Sequence, residues 1–319
     1  MDTFTVDWLS FTIPSVVVDA FGGSPDQVAL GLGLYNAGTW ENRERGFLGW
    51  RESASLFVGA TIAWGGQNGT YYVSISASGL AHMRVALGYE GSAFRRWLVM
   101  LASIGVRCRR IDLAFDDRSG VLDLDLMRDK WDRNEVSSRA RVMTEVRDHR
   151  HDGERGGRTQ YYGHRSSERC VRVYDKGAKE GVPGDWIRVE LEIKGDAAEV
   201  FFSQWDAAGY GTGYAVGVLC GVLRFLERSS TDSNRGRWPS SPFWRSFTEG
   251  ADEIPLVVPS ACRDITDVQS WLVSQVSASL ALLVECYGWE RLHAVAGIGR
   301  HKMGPRQETI LANSAGLLE

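Results

Sequence analysis

Arg158-Thr159-Gln160-Tyr161-Tyr162-Gly163-His164-Arg165, Arg172-Val173-Tyr174-Asp175-Lys176 and Arg188-Val189-Glu190-Leu191-Glu192-Ile193-Lys194 are three short runs, each alternating between two kinds of side chain. A period of two is the signature of a β-strand with unlike faces. Successive side chains of an extended chain point to opposite sides, so Arg172, Tyr174 and Lys176 share a face, as do Arg188, Glu190 and Glu192. A fourth run, Arg109-Arg110-Ile111-Asp112-Leu113-Ala114-Phe115-Asp116-Asp117, sets Arg110, Asp112, Ala114 and Asp116 against an apolar side of Ile111, Leu113 and Phe115. The apolar side predicts core and the charged side predicts a site. A phenol beside cations and carboxylates is equipment for attack on a phosphodiester. Hard oxygen ligands suit Mg2+ or Mn2+, so Asp112, Asp116, Glu190 and Glu192 form a candidate metal quartet that would polarise a phosphate oxygen.

Plainer readings of the same residues stand beside that one. Tyr174 can be a tyrosine half-buried at a sheet surface, with Asp112 and Glu190 in ion pairs with Arg110 and Arg188, worth little energetically when exposed. Tyr161 and Tyr162 are rival nucleophiles. His149 and His151 are a rival ligand pair for a metal, and a water-using metal nuclease is a rival enzyme.

Outward from these runs, the N-terminal side predicts a strand over 5–13, ended by Pro14, and a short helix and loop over 15–30. Residues 31–50, rich in glycine and aromatics, read as a strand with large packing residues. Strands over 54–60 and 69–76 are predicted around the Gly65-Gly66-Gln67-Asn68-Gly69 turn. Phe94, Trp97, Leu98 and Leu101 recur at helical spacing in 92–104, and Asp123 caps a following helix. The element order β-β-β-α-β-α-β-β-β predicts an α+β fold, antiparallel sheets with packed helices, arranged as two related halves. Between 133 and 158 the chain turns polar, and Arg147, Arg150, Arg155 and Arg158, with Arg110, are candidate DNA contacts.

Beyond 194, helices are expected over 196–206 and 213–226. Residues 229–244 read as a linker, and a long helix over 267–286 follows. The expected organisation is a catalytic domain, 1–228, the linker, 229–244, and an appended C-terminal helical region, 245–319.

With 44% hydrophobic and 24% charged residues over 319 positions, the chain is ordinary globular material. Its five cysteines show no metal-binding spacing, which predicts reduced thiols and a cytoplasmic protein. No apolar run approaches the roughly 20 residues a bilayer span requires. A net charge of −4 argues against a general nucleic-acid coater but not against a DNA enzyme, for which the local field decides.

Taken together, the runs 110–116, 161–165, 171–176 and 188–194 resemble, in order and spacing, the replication initiation factor family. Its members start rolling-circle replication of plasmids and filamentous phages, and some are related relaxases. The resemblance spans roughly 5–230, with His164 a departure where relatives often carry Ser. It implies that Tyr174 is the nucleophile of a DNA nicking-closing reaction, becoming joined to a 5′-phosphate and leaving a free 3′-hydroxyl. Arg172 and Lys176 would favour the phenolate and Arg165 would clamp the phosphate. The expected partner is origin DNA, single-stranded or extruded as a hairpin; a host helicase and a second copy of the chain are further expectations. A non-catalytic, sequence-specific DNA-binding initiator or repressor on the same fold is the alternative.

Overall fold

From the N-terminus the first half of the sheet runs β1 (Thr3–Ile13), α1 (Ser15–Ala20), α2 (Pro25–Gly31), β2 (Glu41–Arg43), β3 (Glu52–Phe57), β4 (Ala60–Trp64), β5 (Tyr71–Ile75), α3 (Ala77–Ala86) and α4 (Ser92–Ser103). The second half repeats the theme. It runs β6 (Arg107–Asp117), α5 (Leu124–Asp132), β7 (Val136–Ser138), β8 (Met143–Arg147), β9 (Arg158–Tyr162), β10 (Arg169–Asp175), α6 (Lys176–Glu180), β11 (Ile187–Lys194), α7 (Gly195–Ala207) and α8 (Thr212–Val222). Then come β12 (Leu223–Phe225), α9 (Pro242–Phe247), α10 (Ile265–Trp271), α11 (Ser277–Tyr287), α12 (Trp289–Arg300) and α13 (Pro305–Ser314). The computed structural model describes residues 3–35, 39–149, 151, 156–182, 185–258 and 265–314. The candidate DNA contacts Arg150 and Arg155 lie outside them.

Ten strands form one antiparallel sheet in the order β2-β3-β4-β5-β1-β6-β11-β10-β9-β8. Each half therefore lays its first strand beside its last and steps outward in reverse order, and the first strands, β1 and β6, meet in the middle. That is the pair of related halves expected of this α+β chain. Val6, Leu9, Phe11 and Ile13 of β1 and Ile111, Leu113 and Phe115 of β6 point to one side. There they form a continuous core with Trp97, Leu98, Phe201 and Trp205 of α4 and α7.

Alternation located the central strands and missed two of the sheet, β4 within the first half and β8 at an edge. The predicted strand over 54–60 is two strands, β3 and β4, folded back at Gly59, whose φ of +75° is a conformation glycine adopts without strain. The Gly65–Gly69 turn then joins β4 to β5; a Cβ on Gly66 would lie 2.8 Å from the carbonyl of Gly49, so the backbones approach too closely for a side chain. Among the described residues of the strand expected over 31–50, only β2 forms. The α5 cap is as expected: Asp123 accepts from the backbone N–H of Asp125 and Leu126.

The chain divides into two units, Met1–Val258 and Pro259–Glu319. The stretch 229–244 is thus not where the division falls. Its serines and glycines are outweighed by aromatic anchors: Trp244 and Phe247 are buried, Trp244 packs 5.1 Å from the Phe225 ring, and Ser241 donates from its N–H to the Phe225 carbonyl. In the second unit the helix expected over 267–286 is interrupted by a π-helical turn at Leu272–Val276. Its apolar residues, spaced mostly by four, outrun a 3.6-residue turn, and one wider turn restores their phase. Among the described residues no helix is long and apolar enough to cross a membrane.

Candidate active site

The face of β6, β11 and β10 turned away from the helical core carries the charged residues. Register sets them in rows: Tyr174 is opposite Arg188 and Arg188 opposite Asp116; Arg172 is opposite Glu190 and Glu190 opposite Ala114; Glu192 is opposite Asp112; Lys194 is opposite Arg110. Strand pairing thus converts three separate alternating runs into one patch.

At its centre the Tyr174 hydroxyl donates to Glu190 Oε1 at 2.5 Å, and Arg172 donates to the other carboxylate oxygen. Glu190 is only 2% exposed and Tyr174 5%, so both are withdrawn from bulk water. Burial, and then the charge and hydrogen bond of Glu190, push the phenol above its ordinary pKa, while Arg188 and Arg172 offset only part of the rise. The phenol is therefore protonated at neutral pH with a carboxylate positioned to receive its proton. Of the two cations expected to favour the phenolate, Arg172 acts in that direction but is outweighed by burial and Glu190. Lys176 is turned to Glu180 and lies 5.7 Å from the Trp186 ring; Lys179 instead stands 5.3 Å over the Tyr174 ring, as does Arg172.

The other acids are charge-matched by arginine. Asp116 takes a two-pronged bond from Arg188 at 2.7 and 2.8 Å and a third from Trp186 Nε1 at 2.9 Å. Asp112 is held by Arg110 at 2.9 and 2.7 Å, and the same guanidinium reaches Glu192 at 2.7 Å. Glu192 also pairs with Lys194 at 2.5 Å. Burial pushes the Asp112 carboxyl up to about 6, with Arg110 pulling the other way and Glu192 and Glu190 adding to the rise. As arranged, the quartet Asp112, Asp116, Glu190 and Glu192 does not fit a Mg2+ or Mn2+ ion, because every carboxylate is already paired with an arginine, Asp112 and Glu192 sharing Arg110. Among the described residues no three His, Cys, Asp or Glu side chains converge as metal ligands, His149 and His151 included.

One residue escaped the sequence reading. Asp7 is the extra residue of a β-bulge between Val6 and Trp8, where β1 slips one step against β6. The bulge places Asp7 on the charged face, where Arg188 Nη1 donates to it at 3.3 Å. Burial raises its pKa, Glu190 adds to the rise, and Arg188, Lys176 and Arg172 oppose it. Alternation counted back from Leu9, Phe11 and Ile13 would put Asp7 on the core side, and the bulge reverses this.

The rival tyrosines separate. Tyr162 faces the core, 2% exposed, donating to Gln160 Oε1 at 2.7 Å with its ring against Trp131 and Phe225. Tyr161 stays on the charged face as the register partner of Arg172, and Arg165 stands 5.4 Å over its ring, a step beyond Tyr174 rather than upon it. Three of the expected DNA contacts are spent internally. Arg110 is described above; Arg147 and Arg158 both bind Glu145 and Asp125. Despite its burial, hydrogen bonds from Arg158, Gln160 and Arg147 hold Glu145 at about 2. Beside Tyr174 a cleft of about 440 Å³ opens, lined by Arg158, Thr159, Asp175, Ala178 and Lys179.

Comparison with known proteins places this geometry in context. A family model described as replication initiation factor matches residues 106–294, more than half of the chain. The Bacillus subtilis (strain 168) protein named "Putative DNA relaxase NicK" is 26% identical over 185 residues, covering 55% of this chain. The chain spans about half the length of that curated relative, 52%. A solved structure described as a rolling circle replication initiator protein from Geobacillus stearothermophilus superposes with a TM-score of 0.65 at 22% identity, over 80% of this chain and 98% of that one, a likeness of fold.

Proposed function

This chain belongs to the replication initiation factor family, and on that premise we propose that it starts rolling-circle replication by nicking DNA through tyrosine transesterification. The observation that carries the reading is the 2.5 Å hydrogen bond from the Tyr174 phenol to a buried carboxylate that Arg172 also holds. A protonated phenol is a poor nucleophile, so its proton must leave as it attacks. Glu190 Oε1 takes that proton, the phenol oxygen bonds to phosphorus, and the bond from phosphorus to the 3′-oxygen breaks. The 3′-oxygen takes a proton from solvent and becomes the primer hydroxyl; the 5′-phosphate remains on Tyr174. Protonated Glu190 no longer balances Arg172, whose guanidinium is then free to attract the charge gathering on the phosphate oxygens. Because the phosphotyrosine keeps the energy of the broken bond, the reverse reaction rejoins the strand without ATP.

Asp7 and Asp116 hold Arg188 between them and so steady the row in which Tyr174 sits. The substrate is origin DNA, single-stranded or extruded, entering by the cleft beside Lys179. All of these groups belong to the first unit, which we assign the chemistry.

A labelled oligonucleotide carrying the origin tests the reading. The protein should yield an adduct that survives SDS, lost in Tyr174→Phe and kept in Tyr161→Phe. Cut DNA without an adduct would indicate a water-using nuclease, and binding with neither would indicate a non-catalytic initiator or repressor.

A further inference from the structure

A second basic site lies at the other end of β10. The turn from β9 to β10, the stretch after β7 and the C-terminal end of α8 enclose a cleft of about 560 Å³, lined among others by Arg139, Arg141, Arg169, His164 and Glu168. Arg139 and Arg141 are exposed and Arg169 is half-buried. Among the described residues none of the three forms an ion pair, in contrast to Arg147 and Arg158 nearby. Burial and the like charge of Arg139 lower the pKa of Arg169, and Glu168 offsets this only in part. With Glu168 as the single carboxylate among three guanidiniums in the lining, the cleft keeps an excess of positive charge that an anion would offset.

The cleft meets the charged face only around the β9–β10 turn, since Arg169, an odd number of residues from Tyr174 and paired with Ile193, points to the other side of the sheet. Within the β9–β10 turn His164 lines the cleft, while its neighbour Arg165 lies over Tyr161 on the face that holds Tyr174. Arg169 precedes Tyr174 by five residues of one strand, about 17 Å at about 3.4 Å per residue. Planar guanidiniums suit phosphate oxygens, and contacts to phosphate carry no sequence information.

We propose that Arg139, Arg141 and Arg169 form a site for the phosphodiester backbone of the DNA flanking the nick, holding it irrespective of sequence. This rests on the reading of the chain as a DNA-nicking enzyme. The test is direct binding by the full-length chain, which requires no chemistry. Fluorescence anisotropy with a fluorescein-labelled, mixed-sequence single-stranded oligonucleotide is followed from roughly 50 to 200 mM NaCl. The variant Arg139→Gln with Arg141→Gln, both exposed side chains, should reduce the slope of log affinity against log salt by about 0.7 per lost contact, and adding Arg169→Gln should reduce it further. A control that removes two charges beside the opposite edge of the sheet, Arg43→Gln with Arg45→Gln, should leave the slope unchanged. An unchanged slope in the first pair, or an equal loss in the control, overturns the proposal. Tyr174→Phe should bind with the wild-type slope while forming no adduct. Absence of an adduct in the wild type would therefore remove the nicking reading and leave this measurement intact.

Discussion

The two halves of the sheet share a strand order and differ in what they place on the face away from the helices. In the first half that face carries Ser10, Thr12, Thr61, Tyr72 and Ser74, and Phe47 and Trp50 cover the Tyr72 ring at 5.7 and 5.0 Å. In the second it carries Tyr174, Arg172, Arg188, Glu190, Glu192, Arg110, Asp112 and Asp116, tied together by ion pairs. One half packs its face under aromatic rings; the other fills it with charges that must be mutually satisfied. A repeated scaffold supplies position, and the side chains on one copy supply chemistry.

The sharpest way to break that contrast is to remove the proton acceptor. Glu190→Gln should slow adduct formation by about 10²- to 10⁴-fold, since general-base catalysis contributes on that order. Tyr72→Phe in the first half should change the rate little, and equal losses in both would dissolve the distinction. Next is stability: Arg172→Ala leaves a buried carboxylate with one partner fewer and should cost roughly 3–5 kcal/mol in urea unfolding. Thr61→Ala, across the sheet, should cost about 1 kcal/mol or less.

A titration sharpens the comparison further. With the Asp112 carboxyl at about 6 in the folded state and 3.8 as its ordinary value, the folded protein holds a proton that the unfolded chain has released between those values. Its stabilising contribution is therefore complete below 3.8 and is lost as pH rises through about 6, a change of roughly 2–3 kcal/mol. Asp112→Asn should flatten that part of the stability curve, and a curve of unchanged steepness would assign the dependence elsewhere. The smallest effect expected is for Asp7→Asn, which loosens Arg188 and should slow adduct formation about three- to tenfold. It should also reshape the acid side of the rate profile, because burial raises the pKa of Asp7 above its ordinary value. A loss of stability with an unaltered profile would make Asp7 merely structural.

Much of this was legible in residue order. The alternation of 109–117, 172–176 and 188–194 located the three strands of the site, and the apolar spacing of 92–104 located α4. Each signal is local and repeats within a few residues. What stayed hidden was non-local. The reversal at Gly59 divides what reads as one apolar run, and Trp244 makes a stretch of linker composition part of a core. Lys176 begins a helix immediately after β10, so strand alternation no longer governs where its side chain points.

Sequence alone determined which side chains of each strand travel together, because the two-residue period of an extended chain leaves no other choice. It thereby placed Tyr174 with Arg172, and Glu190 with Glu192. Only the tertiary structure decided who neutralises whom: register put Arg172 and Tyr174 on Glu190, gave Asp116 to Arg188, and through a bulge in β1 brought Asp7 across from another part of the chain. Pairing across strands depends on how segments from 16 to 181 residues apart are aligned, and no local period carries that information.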